Sequence, residues 1–264
     1  MRRSLPLTAA ALMLCAGCST AGTTAGADAA SEPTFDRGSA VRAAVAATSR
    51  GPAQLDQKIE ISGGGVDATI TVIGGIDFAA DKAALAVDFP EGGISHLDEV
   101  FAGRQAYVRG AAPVDADTWA VTARDAAEAH YALRAPLNDP QYVLRQISAM
   151  RHVSQRGEEE VAGTHTVHFR GVLDHDTLTL RMAKETREKM AKARDLIGGD
   201  LPVYADAWVD QQGRLVQTRT SMDLGGSQAT VTTVLSGPGK PVQVTVPATD
   251  NTVPAGGFTG ILTG

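Results

Sequence analysis

An α+β fold built on an antiparallel sheet is what this sequence predicts, and three observations predict it. A long early stretch alternates apolar and polar residues, with turns too short to hold crossover helices. The centre carries segments of helical spacing with recognisable caps. Strand-like alternation then returns through the last third of the chain.

The N-terminus reads as a leader. Arg2-Arg3 precede an apolar stretch over residues 4–14, too short for a mature transmembrane helix, which needs about 20 residues. Leu12-Met13-Leu14-Cys15-Ala16-Gly17-Cys18 closes it and resembles the lipobox of a bacterial lipoprotein signal peptide, with Cys15 standing where Leu is commonest. That resemblance implies cleavage after residue 17, acylation of the Cys18 thiol, and a lipid anchor on the extracytoplasmic face of the cell membrane. Stable anchoring normally takes two acyl chains, which a diacylglycerol supplies. Residues 18–34 then follow as the lipidated cysteine and a small, polar, flexible tether. The expected folded domain covers 35–247, and 248–264 reads as a flexible tail rich in Gly, Thr and Pro.

Charge and cysteine content narrow the class. There are 24 Lys and Arg against 30 Asp and Glu, a net charge of −6, and removal of Arg2 and Arg3 makes the body more acidic still. No basic patch with interleaved aromatics appears, which argues against nucleic acid as a partner. Both cysteines, Cys15 and Cys18, lie in the leader and lipobox, so no disulfide is expected in the mature chain. No later segment is long and apolar enough to cross a membrane. The bias to Ala, Gly, Val, Arg and Asp fits a high-GC genome such as an actinobacterial one.

The elements follow in order. A helix near Asp36 places Val41, Ala44 and Val45 at helical spacing and stops at Gly51-Pro52. Leu55, Ile59 and Ile61 alternate with Asp56, Lys58 and Glu60, and Gly63-Gly64-Gly65 turns the chain. Val66, Ala68, Ile70 and Val72 repeat the pattern, then Leu85, Val87 and Phe89, with shorter strands near Tyr107 and Trp119. Asp139-Pro140 opens a helix, since a proline at the first turn forfeits a donor that would be unpaired anyway. Residues 151–160 and 163–173 form a hairpin about Ala162-Gly163, and one long helix is expected from Asp176 to Ile197. Strands are expected at 203–209, 214–223, 228–235 and 241–246, the first two joined by the turn Asp210-Gln211-Gln212-Gly213.

Three stretches carry a family resemblance. They are Asp139-Pro140-Gln141-Tyr142-Val143-Leu144, the run from Val161 to Asp174 (VAGTHTVHFRGVLD), and the run from Val203 to Leu215 (VYADAWVDQQGRL). With the lipobox they resemble actinobacterial lipoproteins of the LppX/LprG-like group, related in fold to the periplasmic carrier LolA. The resemblance covers residues 35–247. It implies a strongly curved antiparallel sheet, a half-barrel, with helices covering its concave face. In characterised members of that group the space between holds acyl chains. The group's motifs are structural and bring no catalytic residue.

The residues announce no chemistry of their own. His165 and His168 are three apart, which on a strand puts them on opposite faces. His96, His130 and His152 are isolated, and His175-Asp176 reads as a helix start. No metal site and no cofactor is therefore expected. There is no Gly-x-Ser-x-Gly elbow, and the Gly63–Gly65, Gly74-Gly75 and Gly225-Gly226 pieces read as turns and bulges between strands. Trp119 and Trp208 are assigned to the core or its edge. The basic residues of the long helix read as a solvated face, with a membrane-facing role as the alternative.

The expected function is that of a non-enzymatic, monomeric lipoprotein binding an apolar ligand, a lipid first among candidates, for carriage or presentation in the envelope. A pocket would be lined by Ile59, Ile61, Ile70, Val72, Leu85, Val87, Val167 and Phe169. Periodicity serves a packed core and a hollow one equally, although a curved sheet in a chain of 2 Trp, 4 Tyr and 6 Phe favours space. The alternative is a closed-core interaction or sensor lipoprotein acting through an envelope protein partner.

Overall fold

Two meanders joined side by side build the sheet. The computed structural model describes residues 36–255 apart from 64, 66, 90–94, 111–116, 125–138, 181–183, 202 and 225. The leader, Cys18 and the tether lie outside the described residues. The first meander runs β1 (Pro52–Ser62), β2 (Ala68–Asp77), β3 (Lys82–Asp88), β4 (His96–Ala102), β5 (Gln105–Arg109) and β6 (Trp119–Ala123). The second runs β7 (Arg151–Val161), β8 (Thr164–Val172), β9 (Val203–Asp210), β10 (Leu215–Leu224) and β11 (Ser227–Ser236). β1 pairs antiparallel with β11, as with Ile59 opposite Val231, and this single seam makes one sheet of the two. With β12 (Thr252–Pro254) the order is β12-β6-β5-β4-β3-β2-β1-β11-β10-β9-β8-β7. β7 and β12 are edges, so the curved sheet stays an open half-barrel.

Helices cover the concave face. α1 (Arg37–Thr48) starts where the Asp36 carboxylate accepts from the Gly38 amide at 3.0 Å. α2 (Pro140–Ser148) starts at Asp139, whose carboxylate accepts from the Gln141 and Tyr142 amides. α3 (His175–Thr179) is capped by Asp174, and α4 (Lys184–Ile197) ends at Gly198, whose φ of +70° suits glycine. Val41, Ala44, Tyr142, Leu144, Ile147 and Leu178 from these helices join one core with the inward residues of the strands. The buried valine, leucines and isoleucine among them each contribute about 1.5–3 kcal/mol on burial. The Tyr142 hydroxyl donates to the Leu178 carbonyl at 3.4 Å and ties α2 to α3.

Several expectations needed correction. β4 was not anticipated: Val100 and Phe101 are buried in succession, and this breaks the alternation that marks a strand. The long helix is two helices, α3 and α4, and the cap is Asp174 rather than Asp176. Residues 241–246 form no strand and join no ladder. The start of the expected tail instead forms a 3-10 turn (Thr249–Asn251) and β12, which pairs parallel with β6. Gly74 and Gly75 lie inside β2, not at a turn. A Cβ on Gly74 would stand 2.1 Å from the Ala84 carbonyl oxygen on β3, and one on Gly75 would stand 2.5 Å from Val242 Cγ1. These two glycines let a neighbouring strand and the 241–246 stretch close on β2, a requirement that turn chemistry does not reveal.

Candidate ligand site on the concave face and its end groove

The eight residues expected to face a ligand all lie on strands and point to the helix-covered side. Ile59 stands opposite Ile70, and Val72 opposite Val87, with Leu85 opposite Gly74. Ile61 continues the β1 row beside Ala68 and Ala229. Val167 and Phe169 face Val209 and Ala207 on β9, three strands away from β1. The structure thus brings six of the eight into one patch and sets two apart from it. Ile59, Val72, Leu85, Val87 and Phe169 are buried in the core, and Ile61, Ile70 and Val167 pack against it.

That face is not wholly apolar. Gln57, Glu99, Thr218, Thr220 and Thr233 are buried in phase with it. Gln57 Nε2 donates to Thr233 Oγ1 at 2.8 Å, while no described protein donor reaches Gln57 Oε1. The signal for Gln57 was in the sequence: it sits between Leu55 and Ile59 in the inward phase of β1. Glu99 was hidden because its strand was missed.

Two cavities among the described residues border this face or its ends. The larger, about 590 Å³, is a groove at one end of the half-barrel. It lies between the C-terminal end of α1, the start of β1, the β9–β10 turn and the end of β11. Its volume falls in the range of small-molecule sites. Ala53, Leu215 and Leu235 in its lining are also core residues, so the floor of the groove is part of the concave-face core. Its rim is polar. Asp210 accepts from the Gln212 and Arg214 amides, building the turn, and its other oxygen takes the Arg214 guanidinium at 2.9 Å. Arg50 stands exposed on the α1 side. Thr48 Oγ1 accepts from the Leu215 amide at 2.9 Å and pins α1 to β10 across it. The second cavity, about 410 Å³, is bordered by Ile61 among mostly polar residues such as Glu60, Asp67 and Gln228.

The convex face holds a different constellation. Asp206, 1% exposed, takes His168 Nε2 at 2.7 Å and stands near the guanidinium groups of Arg170 (3.9 Å) and Arg219 (3.5 Å). His168 stacks on Trp208 at 4.4 Å, and Glu159 accepts from Trp208 Nε1 at 2.6 Å. His165 is exposed and pairs with Glu158 instead, so the two histidines do take opposite faces. His96, read as isolated, sits between Asp88 (2.6 Å) and Asp98 (3.4 Å). These contacts cross strands, which spacing along the chain does not show. Trp119 lies under the Arg109 guanidinium at the sheet's far end. Among the described residues no group of three or more His, Cys, Asp or Glu could hold a metal ion, and no helix is long and apolar enough to cross a membrane.

Comparison with known proteins gives the fold a reference. No protein-family model and no curated protein matches the chain. Among solved structures it is similar to the lipoprotein LppX of Mycobacterium tuberculosis, with a TM-score of 0.50 and 16% identity over 79% of this chain and 97% of that one. It is also similar to LprF from Mycobacterium bovis (TM-score 0.46, 14% identity, 80% and 96% covered). A LolA superfamily protein from Nitrosomonas europaea matches at a TM-score of 0.32 and 9% identity, covering 79% of this chain and 94% of that one. At such identities the LppX likeness is one of fold: the expected half-barrel with helices on its concave side is present.

Proposed function

We propose that this chain is a membrane-anchored extracytoplasmic lipoprotein that binds an apolar ligand, a lipid acyl chain in the first instance, for carriage or presentation in the cell envelope. The observation that carries the proposal is the end groove, whose Ala53, Leu215 and Leu235 floor belongs to the core on the concave face. An acyl chain entering there meets a polar rim at Arg214 and Arg50, the apolar floor of Ala53, Leu215 and Leu235, and then the buried Gln57, Thr233 and Thr218 before Ile59. Ile59, Ile61, Ile70, Val72, Leu85, Val87, Val167 and Phe169 are the proposed deeper lining, reached when the α1 and α2 cover shifts outward. Acylation of Cys18 is the proposed anchor, supported by the lipobox-like sequence and by the lipoprotein named in the LppX comparison. No catalytic residue is assigned.

Native mass spectrometry of the protein exposed to a bacterial membrane lipid extract tests the binding. A discrete adduct that yields an acylated species on denaturation supports it; a bare mass, with apolar dyes also failing to bind, sinks it. Intact mass of membrane-extracted protein tests the anchor separately, because an unmodified Cys18 ends that part alone.

A second reading has its own observation. Ile59, Val72 and Val87 are fully buried among packed neighbours, which suits a closed core and a protein partner at the cell surface. The bare-mass outcome would favour it.

A further inference from the structure

α4 is unlike the other three helices. α1, α2 and α3 each bury residues, whereas α4 buries none of its described side chains, and Met190 alone of them packs against the core. Its C-terminal half combines exposed apolar side chains with unneutralised charge. Leu196 is 87% exposed and Ile197 51%. Lys189, Lys192 and Leu196 follow one another at spacings of three and four, so they share one exposed face of the helix. Arg194 is paired with Asp195 at 3.0 Å and Lys184 with Glu188 at 3.9 Å, but Lys189 and Lys192 carry no ion pair among the described residues. The helix as a whole, KETREKMAKARDLI, is net basic on a chain of net charge −6.

We infer that the C-terminal half of α4 is a docking element for an anionic lipid surface, independent of the lipid-binding groove. Leaving Leu196 and Ile197 in water wastes apolar area, and an isolated apolar pair of that kind is ordinary on a surface. What sets this face apart is that Lys189 and Lys192, with no ion pair among the described residues, share it with Leu196 on a net basic helix of an acidic chain. A bilayer carrying anionic headgroups satisfies both at once: Leu196 enters the headgroup boundary while the ammonium groups of Lys189 and Lys192 on the same face meet phosphates. A protein partner's acidic groove would meet the charge, but the paired Glu188 and Asp195 flank this face and would face it. A diffuse lipid surface tolerates them because the lysines can extend past their neighbours. With Cys18 acylated as proposed, residues 19–35 reach at most about 60 Å when fully extended, which keeps the body within range of such contacts.

The test uses the chain from Ser19 onward, which keeps the compact Asp36–Gly264 unit and removes any acyl anchor. Co-sedimentation is measured at low ionic strength with vesicles of phosphatidylcholine and with an equal mixture of phosphatidylcholine and phosphatidylglycerol. Binding to the mixed vesicles alone is expected, falling as salt is added. Lys189→Ala and Lys192→Ala should each weaken it about fivefold, and Leu196→Ser several-fold, with thermal melting unchanged because all three side chains are exposed. Equal binding to both vesicle types, no binding, or variants that bind like the parent overturn the inference. So does a dimer in ultracentrifugation that Leu196→Ser abolishes, since the face would then belong to a second copy. Loss of the lipid adduct in native mass spectrometry leaves it untouched, so the two proposals fail separately.

Discussion

The Arg124 guanidinium grips both carboxylate oxygens of Asp139, with Nε to Oδ2 at 2.7 Å and Nη2 to Oδ1 at 2.6 Å. Asp139 is fully buried and also caps α2. Arg124 further donates to Asp81 in the β2–β3 turn at 2.6 Å and to the Gly103 carbonyl in the β4–β5 turn at 3.2 Å. One side chain, just after β6, thus fastens the covering helix to two turns of the first meander. Burial alone would lower the Arg124 pKa, but the hydrogen bonds and charge of Asp139 and Asp81 outweigh it and hold the group above its usual value.

Arg124→Ala should therefore destabilise by about 3–5 kcal/mol, because it leaves a buried, uncompensated carboxylate. Arg124→Lys should recover only part, since an ammonium cannot make the forked pair. Equilibrium urea unfolding measures both. A loss within about 0.5 kcal/mol of zero for Arg124→Ala would show that the fork is incidental.

Gly74 and Gly75 should respond differently to alanine. The new Cβ of Gly74→Ala meets the β3 backbone, which has nowhere to go without opening the β2–β3 ladder. The new Cβ of Gly75→Ala meets only the Val242 side chain, which can turn away. The expected costs are about 3 kcal/mol or more for Gly74→Ala and about 1 kcal/mol for Gly75→Ala, read from urea midpoints. Equal costs would refute the close approach as the reason for Gly74.

His96 adds a small pH dependence. Its hydrogen bond to Asp88 raises its pKa above 6.5, against the opposing effect of burial, with Asp98 assisting. A raised folded-state pKa means the contribution is complete below the unfolded value near 6.5 and disappears as pH climbs through the higher folded value. The side chain is about half exposed, so solvent screening limits the effect to about 0.5 kcal/mol or less. His96→Gln should narrow the difference in urea midpoint between mildly acidic and alkaline buffer. An unchanged difference would remove His96 from the account.

Val87→Phe separates a filled concave layer from an adaptable one. Val87 is buried opposite Val72 and Leu97. In a rigid, filled core the extra ring costs about 1–3 kcal/mol. In the proposed lipid binder, the same change should reduce the lipid adduct in native mass spectrometry while the fold persists. Undiminished loading across this variant and Val72→Phe would place the ligand elsewhere.

Local chemistry was legible from the sequence wherever the cause was local. The hairpin at Ala162-Gly163, the Asp139-Pro140 helix start, the turn at Asp210–Gly213 and the inward rows of β1, β2 and β3 follow from capping, turn preference and a period of two. Period two also assigned Ile59, Val72 and Val87 to one face, because successive strand side chains must alternate. What lies above that face is decided by contacts between residues far apart in the chain. The β1–β11 seam that unites the meanders, the hold of Arg124 on Asp139 and Asp81, the Val242 cover on Gly75 and the parallel pairing of β12 all belong to this class. β4 escaped because Glu99, Val100 and Phe101 are buried in succession, so no alternation marks it. Alternation determines which side of a strand turns from water; only the packed chain determines whether that side meets another side chain, a buried Gln57, or the opening of a groove.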